Sequence, residues 1–309
     1  MAYTFPYKDL LDIERLSTTD ITALLDLAER YAVQNRSSKK KTPILDGKTV
    51  VTLFFEPSTR TRTSFEIAAK RLGADVVNIS IEHSSVKKGE TLLDTVLNID
   101  AMQIDALALR HSENGVPHFI APQMKASIIN AGDGTNEHPT QALLDALTIR
   151  HHKKTLQGLV ITYSGDFIRS RVAGSFIRLM NKFGNTIRIV APPDFLSEKF
   201  KALGVETYTD MREALRDADV VMTQRIQRER MAEGQFVMSH KDYHDKFGLN
   251  HEKLKAAKPN VIVMNPGPVM RDAEITSLLA DDPRISVIRE QVENGVAVRM
   301  AVLDLLVKH

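Results

Sequence analysis

Cysteine is absent from the 309-residue sequence, and this absence excludes disulfide bonds, thiolate metal sites and a cysteine nucleophile. No stretch approaches the roughly 18 consecutive apolar residues that a membrane helix requires, so we expect no membrane partner. The N-terminal residues, MAYTFPYKDL, do not contain a basic segment followed by an apolar one. We therefore expect no signal peptide and a cytoplasmic location.

Neither sign of charge dominates the sequence. The sequence contains 41 Lys and Arg residues and 39 Asp and Glu residues, which give a formal net charge of +2. This balance gives no electrostatic reason to expect nucleic acid or an anionic membrane as a partner. The hydrophobic fraction of 43% is typical of globular proteins and excludes a disordered chain or a collagen-like fibre. At roughly 100–200 residues per domain, the length predicts about two domains.

Short apolar strand patterns alternate with helical patterns along the chain. One series begins with a strand at Thr49–Phe55, and the pattern restarts with a strand at Leu159–Tyr163. Strands that alternate with helices predict parallel sheets covered on both faces. We therefore predict an α/β protein of two doubly wound parallel-sheet domains, with the functional site in the cleft between them. The predicted domains are residues 1–150 and 151–290, and a C-terminal helix over 291–307 is expected to pack back on the first.

The strongest local signal follows the first predicted strand. Residues 56–66, EPSTRTRTSFE, place hydroxyl and arginine side chains at the start of a helical pattern. A helix start carries a partial positive charge, which arginines oppose unless an anion is bound there. The segment therefore favours a phosphate site, and the alternative is a capped helix with solvated arginines. It is not a P-loop, and no Gly-x-Gly-x-x-Gly motif indicates a dinucleotide site.

Further polar segments follow predicted strands, where open parallel sheets bind ligands. Arg110 and His111 come directly after the strand pattern Asp105–Leu109, and a Gly/Asn/Asp loop over 130–136 leads to His138 at a helix start. Each segment has an ordinary alternative, such as the exit of a strand or a helix cap. In the second half of the chain, the segments 225–230 and 266–268 also follow predicted strands. The alternatives to a functional role are a charged helix face at 225–230 and a stiff turn at 266–268. Arg169 is expected to be solvated.

In their order along the chain, these segments resemble the aspartate/ornithine carbamoyltransferase family. The similarity to the family's carbamoyl-phosphate signature begins with FEPSTRTR at 55–62. It continues with KKGE at 87–90, RH at 110–111, NAGDG at 130–134, HPTQ at 138–141, RIQ at 225–227 and PGP at 266–268. The ordered set covers essentially the whole chain. It implies an enzyme that transfers a carbamoyl group from carbamoyl phosphate to an amine.

The resemblance also implies roles for particular residues. The implied catalytic residues are Arg60, Lys88, Arg110 and His138. The implied carbamoyl-phosphate-binding residues are Ser58, Thr59, Arg60, Thr61, Ser84, Lys88, Arg110, His138, Gln141, Gly267 and Pro268. The implied aspartate-binding residues are Lys88, Arg171, Arg225 and Gln227. In this scheme His138 donates a hydrogen bond to the carbamoyl oxygen, and Gln141 contacts the carbamoyl NH₂ group.

Motif and charge both favour the aspartate branch of the family. The Arg-x-Gln sequence at 225–227 resembles that branch, whereas the His-Cys-Leu-Pro sequence of the ornithine branch is missing. Two arginine forks, Arg171 and Arg225, suit a dicarboxylate. The resemblance thus implies transfer to the α-amine of L-aspartate, the committed step of de novo pyrimidine synthesis. A carbamoyltransferase for another amine and a non-catalytic, carbamoyltransferase-like assembly subunit stay open as alternatives.

Two residues depart from the family pattern, and the assembly is implied only by the resemblance. Family members often have His-Pro-Leu-Pro or His-Pro-Ala-Pro where this chain has Asn265 and Gly267. The main-chain contact at Gly267 stays available but is expected to be less rigid. The family pattern implies a homotrimer with shared active sites, in which Ser84 and Lys88 belong to a loop that reaches a neighbouring subunit. A regulatory chain or a dihydroorotase stays open as a partner, and no metal or organic cofactor is implied.

Overall fold

The computed structural model describes residues 3–80, 89–196, 198–231 and 238–307. These residues form two compact units. The first unit contains the described residues up to Leu147 together with those from Val292 onward, and the second contains those in Thr148–Gln291. None of the described helices combines the length and the apolar character needed to cross a membrane.

Each unit is built on one parallel sheet, which confirms the predicted α/β architecture. The first sheet has the order β2-β1-β3-β4 and the second the order β7-β6-β5-β8-β9, and all paired neighbours are parallel. The strands are β1 (Thr49–Phe54), β2 (Asp75–Ser80), β3 (Ala106–His111), β4 (Ser127–Asp133), β5 (Val160–Ser164), β6 (Thr186–Val190), β7 (Glu206–Tyr208), β8 (Val220–Thr223) and β9 (Ile262–Met264).

Helices connect the strands and cover the sheets. Helix α1 begins with a capping box, in which Ser17 and Asp20 each accept a hydrogen bond from the other's backbone N–H. The helices are α1 (Thr18–Arg36), α2 (Thr59–Arg71), α3 (Leu92–Ala101), α4 (Val116–Ile120), α5 (Pro139–Lys153), α6 (Arg171–Asn181), α7 (Glu198–Lys201), α8 (Met211–Leu215), α9 (His240–Phe247), α10 (His251–Leu254), α11 (Ser277–Ala280) and α12 (Ile288–Val307).

The central strands of the first sheet carry its core. Val51 and Leu53 of β1 are buried together with Leu107 and Leu109 of β3. Both strands are buried over most of their length, as expected where helices cover both faces of a doubly wound sheet. The end of α12 belongs to the same unit, and its Asp304 accepts a hydrogen bond from Tyr31 of α1 at 2.7 Å.

Each sheet has one point where the strand order changes direction. In the first sheet β1 pairs with β2 on one side and with β3 on the other. In the second sheet β5 lies in the same way between β6 and β8. Ligands of open parallel sheets bind beyond the carboxyl ends of the strands at such points. The segments that follow β1, β3, β5 and β8 are therefore the candidates for a functional site.

Two predicted strand ends are wrong. Arg110 and His111 do not follow β3 but lie within it, and Arg110 pairs with Phe54 of β1. Likewise β4 extends through Asp133, so the expected loop over 130–136 is strand in its first half. Both strands continue through polar residues, which the apolar pattern did not include. Backbone pairing to a neighbouring strand does not depend on side-chain polarity.

Candidate active site

Arg110 joins the segment that follows β1 to the last residues of β4. Its Nη1 donates to Ser58 Oγ at 3.1 Å and to the main-chain oxygen of Ala131 at 3.4 Å. Its Nε lies 3.4 Å from Glu56 Oε2, and only 14% of the Arg110 side chain is exposed. The guanidinium is therefore held in place, with a fixed positive charge beside the start of α2. Such a group can bind an anionic oxygen together with the helix N-terminus.

The start of α2 offers several hydroxyl groups next to that charge. Ser58 occupies the N-cap position, but its side chain makes no capping hydrogen bond within the described helix and instead accepts from Arg110. Thr59 and Arg60 are exposed, whereas Thr61 is buried. The structure thus brings together four of the predicted phosphate-binding residues and Arg110. It also favours the anion site over a simply capped helix, because the cap hydroxyl faces the arginine.

A turn organised by Asp133 leads to His138 at the start of α5. The Asp133 carboxylate accepts from the backbone N–H groups of Gly115 at 2.7 Å and Glu137 at 3.1 Å. His138 is buried, and its main-chain oxygen accepts from the N–H of Gln141 at 3.0 Å. Pro139 occupies the first helical position, where its missing N–H costs nothing. His138 and Gln141 therefore share one rigid helix start.

In the second unit, a buried ion pair follows β5 and positions Gln227. Asp166 is fully buried, and both its oxygens lie 3.2 Å from Arg169 Nη1. Gln227 donates its backbone N–H to Asp166 at 3.3 Å and its side-chain amide to the main-chain oxygen of Arg169 at 3.0 Å. The prediction that Arg169 is solvated is therefore wrong. The side chain is buried because Asp166 supplies a buried counter-charge.

Arg225 and Arg171 also lie at this edge of the second sheet. Arg225 follows β8, and its guanidinium forms a fork-like ion pair with Glu229, including a 2.8 Å bond from Nη1 to Oε2. This contact raises the pKa of Arg225 and lowers that of Glu229. Arg171 is buried at the first position of α6, whose N-cap is Ser170. The Arg225 guanidinium therefore binds the Glu229 carboxylate through two nitrogens, the fork geometry that suits carboxylates in general.

The Pro-Gly-Pro segment follows β9 and is fixed by Asn265. The Asn265 side chain accepts from the N–H of Gly267 at 2.7 Å and donates to Thr223 at 3.0 Å and to Glu274 at 3.3 Å. Gly267 has a φ of +71°, a left-handed conformation that favours glycine, and it precedes a cis bond to Pro268. The two departures from the family pattern therefore act together. Gly267 permits the left-handed backbone conformation, and the Asn265 side chain holds that backbone by a hydrogen bond.

Two predicted site residues, Ser84 and Lys88, lie outside the described residues. Among the residues that the structure describes, no group of three or more His, Asp and Glu side chains could hold a metal ion. His111 also takes no part in the Arg110 site, since its ring packs on Phe55 and its Nδ1 accepts from the N–H of Glu113. Burial lowers the pKa of His111.

Both halves of the chain match models of one protein family. The family model "Aspartate/ornithine carbamoyltransferase, carbamoyl-P binding domain" matches residues 8–151, and "Aspartate/ornithine carbamoyltransferase, Asp/Orn binding domain" matches residues 157–306. The chain belongs to the aspartate/ornithine carbamoyltransferase family. The predicted family resemblance is thereby confirmed, and the two models together span almost the whole sequence.

Individual carbamoyltransferases are also similar to the chain over nearly its full length. The aspartate carbamoyltransferase catalytic subunit of Rhodospirillum centenum is 54% identical over 304 residues, which are 98% of this chain and 95% of that protein. That of Granulibacter bethesdensis is 56% identical over 299 residues, or 97% and 94% of the two chains. A crystal structure of aspartate transcarbamoylase from Trypanosoma cruzi, in complex with carbamoyl phosphate and aspartate, is 30% identical. It has a TM-score of 0.88 and covers 97% of this chain and 96% of that one.

Three buried charged residues, each near candidate site residues of its own unit, were not predicted from the sequence. Asp145 in α5, Glu274 after the Pro-Gly-Pro segment and Arg299 in α12 are all buried. Burial raises the pKa of Glu274, which accepts from the N–H of Met270 at 2.7 Å. A signal was present for Asp145 and Arg299, because each interrupts an apolar run, LLDAL and AVRMAV. Charged residues within such runs are buried only when they are paired or hydrogen-bonded.

Proposed function

We propose that the chain transfers the carbamoyl group of carbamoyl phosphate to the α-amine of L-aspartate, which forms N-carbamoyl-L-aspartate and releases phosphate. The proposal rests above all on Arg110, whose Nη1 lies 3.1 Å from Ser58 Oγ at the start of α2. A cationic fork, hydroxyl groups and a helix N-terminus together form a set of donors suited to phosphate. The named relatives support the same reaction.

The first unit would bind carbamoyl phosphate. In this proposal the phosphate oxygens contact Arg110 and the residues at the start of α2, and His138 donates to the carbamoyl oxygen. Gln141 contacts the carbamoyl NH₂ group. Lys88 and Ser84 would come from a neighbouring subunit. The α2 residues are Ser58, Thr59, Arg60 and Thr61, and Gly267 and Pro268 would complete the site with main-chain contacts.

The second unit would select the amine substrate by its two carboxylates. Arg171 would bind the α-carboxylate of L-aspartate, Arg225 its side-chain carboxylate, and Gln227 its amino end. The ion pair between Arg225 and Glu229 supports this assignment, since it shows the arginine fork with a carboxylate on it. An ornithine or diamine substrate would need an anion in place of Arg225 for its second amine.

The reaction would proceed by direct attack of the uncharged amine on the carbamoyl carbon. A C–N bond forms, the carbon–oxygen bond to phosphate breaks, and the leaving phosphate takes the amine proton. Negative charge develops on the carbamoyl oxygen in the tetrahedral state, so donors such as His138 lower the barrier. Catalysis is then mainly orientation and electrostatic stabilisation, and His138 acts as a donor rather than as a base.

The assembly that we propose is a homotrimer with active sites shared between subunits, in the cytoplasm. The trimer and its shared sites follow from the family resemblance and from the place of Lys88 and Ser84 in its pattern. At each interface, the two neighbouring subunits would each contribute part of the phosphate site. Association with a regulatory chain or a dihydroorotase is a further step that oligomeric-state measurements on the purified chain and on its native complexes would test.

Phosphate release from carbamoyl phosphate tests the proposal directly. We expect turnover with aspartate and none with ornithine or putrescine. Turnover with a diamine or ornithine would keep the phosphate site but contradict the roles of Arg171 and Arg225. No turnover with any amine, despite tight binding of N-(phosphonacetyl)-L-aspartate, would indicate a binding subunit and would overturn the proposal.

A further inference from the structure

A buried pair of charged side chains lies next to Gln141. Gln141 Nε2 donates to Asp145 Oδ1 at 3.0 Å, one turn further along α5, and Asp145 is fully buried. Arg299 of α12 is 3% exposed and interacts electrostatically with Asp145. A buried carboxylate is costly unless a positive charge or hydrogen-bond donors compensate for it. Arg299 and the Gln141 amide supply both.

Contacts from three helices fix the position of Arg299. Its Nη1 donates to the main-chain oxygen of Gly295 at 3.0 Å, and its Nη2 to Thr140 Oγ1 at 3.2 Å. The guanidinium also lies 5.1 Å from the centre of the Phe65 ring in α2. A Cβ at Gly295 would lie only 2.7 Å from Nη1, so the helix leaves room for this group. Burial lowers the pKa of Arg299 to about 10, which still leaves it a cation at neutral pH.

The charge of Asp145 decides which end of the Gln141 amide faces it. An ionised carboxylate only accepts hydrogen bonds, so the amide must present its NH₂ group to Asp145. The carbonyl oxygen, Oε1, is then the end left for a ligand. This oxygen accepts hydrogen bonds and cannot donate them, so it suits a ligand that carries an N–H group.

We propose that Asp145, paired with Arg299, orients the Gln141 amide to accept a hydrogen bond from the carbamoyl NH₂ group, and thereby selects a carbamoyl over an acetyl group. The inference rests on the proposed function, in which Gln141 contacts that NH₂ group. Asp145 and Arg299 are positioning residues, because they act on the ligand through Gln141. A purely structural role would affect stability but would not distinguish an amide ligand from a methyl ketone of the same shape.

Two phosphonates that differ only in this group provide the test. Phosphonoacetamide carries an NH₂ where acetonylphosphonate carries a methyl group, and their affinities can be measured by isothermal titration calorimetry. We expect the full-length wild-type protein to bind the amide about tenfold more tightly, as one buried hydrogen bond would give. The Asp145→Leu, Arg299→Met double variant should reduce that ratio to about twofold, because the Gln141 amide is no longer oriented. Both residues are replaced together because replacing a whole buried ion pair is better tolerated than breaking it.

Three further variants make the result decisive. Arg299→Lys keeps the cation and should keep the wild-type ratio. Asp145→Asn keeps the side-chain shape but can donate or accept, so it should lower the ratio even if the double variant does not fold. A wild-type ratio in every folded Asp145 variant would overturn the inference. If instead the wild-type protein does not distinguish the two ligands, and Gln141→Leu binds both as the wild type does, the assigned contact of Gln141 in the proposed function is wrong.

Discussion

Arg110 Nη1 lies 3.1 Å from Ser58 Oγ, although the two residues are 52 positions apart in the chain. Their contact is a consequence of sheet order, because β1 and β3 are direct neighbours and both end at the same edge. The Phe55 N–H continues the pairing beyond β1 by donating to the main-chain oxygen of Arg110 at 2.9 Å. The phosphate site that we propose is thus positioned by backbone pairing at the crossover point of the first sheet.

Replacing Arg110 by lysine should strongly reduce activity. A lysine keeps the charge, but its single ammonium group cannot replace both the Nη1 bonds to Ser58 and Ala131 and the Nε contact with Glu56. We expect kcat/KM for carbamoyl phosphate to fall by about 10- to 100-fold, the value of one or two charged hydrogen bonds. Phosphate release under saturating aspartate measures it. Arg71→Lys, at the other end of α2, is the matched control, and an equal loss there would contradict the assignment.

Replacing Arg225 by alanine should affect the amine substrate selectively. The variant loses the fork that now binds Glu229, and we expect the KM for aspartate to rise by about 10- to 100-fold. The KM for carbamoyl phosphate should change little. Steady-state kinetics with each substrate varied in turn separates the two effects. Arg228→Ala is the control, because Arg228 is an exposed neighbour that donates only to the main-chain oxygen of Met238 among the bonds described.

The hydrogen bond between Tyr31 and Asp304 should contribute to the stability of the first unit. It joins α1 to α12, both partners are buried, and its length is 2.7 Å. Tyr31→Phe removes the donor and should lower the free energy of unfolding by about 1–2 kcal/mol, measured by urea denaturation. Tyr208→Phe is the control, because it removes an exposed hydrogen bond of 2.8 Å to Glu206, and a comparable loss there would contradict the prediction.

Much of the fold was predictable because its signals are local. The apolar strands predicted at Thr49–Phe55 and Leu159–Tyr163 are observed within one residue of those bounds, as β1 and β5. The errors concern features that depend on partners distant in sequence or on very short elements. β3 continues through Arg110 only because β1 pairs with it, and the three-residue strand Glu206–Tyr208 is too short for any periodicity to reveal.

The candidate site shows the same division. The hydroxyl and arginine residues at the start of α2 were recognisable from their position after a strand. The burial of Arg169 was not, because it depends on Asp166 lying inside the protein beside the guanidinium. The buried pair of Asp145 and Arg299 could be suspected from apolar flanking residues, but its pairing across two helices required the fold.

Shared active sites predict that two inactive variants will complement each other. In the proposed trimer, Arg60→Ala would inactivate the site on its own chain, and Lys88→Ala would inactivate the site of the neighbouring subunit. Chains of the two variants mixed in equal amounts, unfolded and refolded together, should recover activity at about a quarter of the sites, as random mixing in a ring predicts. Each variant refolded alone is the control. Hybrids as inactive as both parents would contradict a shared site.

The stability of the second unit should depend on acid pH through Glu290. Its carboxylate bonds to His151 at 3.0 Å and to His152 at 2.7 Å, and these contacts lower the pKa of Glu290 from 4.5 to about 2. A carboxylate with a lowered pKa stabilises the folded state fully above its unfolded value, and this contribution is lost as the pH falls toward the folded value. The free energy of unfolding of wild type should therefore exceed that of Glu290→Gln at pH 7.

That difference should shrink steadily below pH 4.5 and approach zero near pH 2. Urea denaturation of wild type and Glu290→Gln at pH 7, 5 and 3.5 measures it. The control is Glu293→Gln, which removes an exposed ion pair to Arg36 and should cost less than about 0.5 kcal/mol at every pH. A difference that stays constant from pH 7 to 3.5 would contradict the prediction, because the carboxylate would then contribute shape rather than charge.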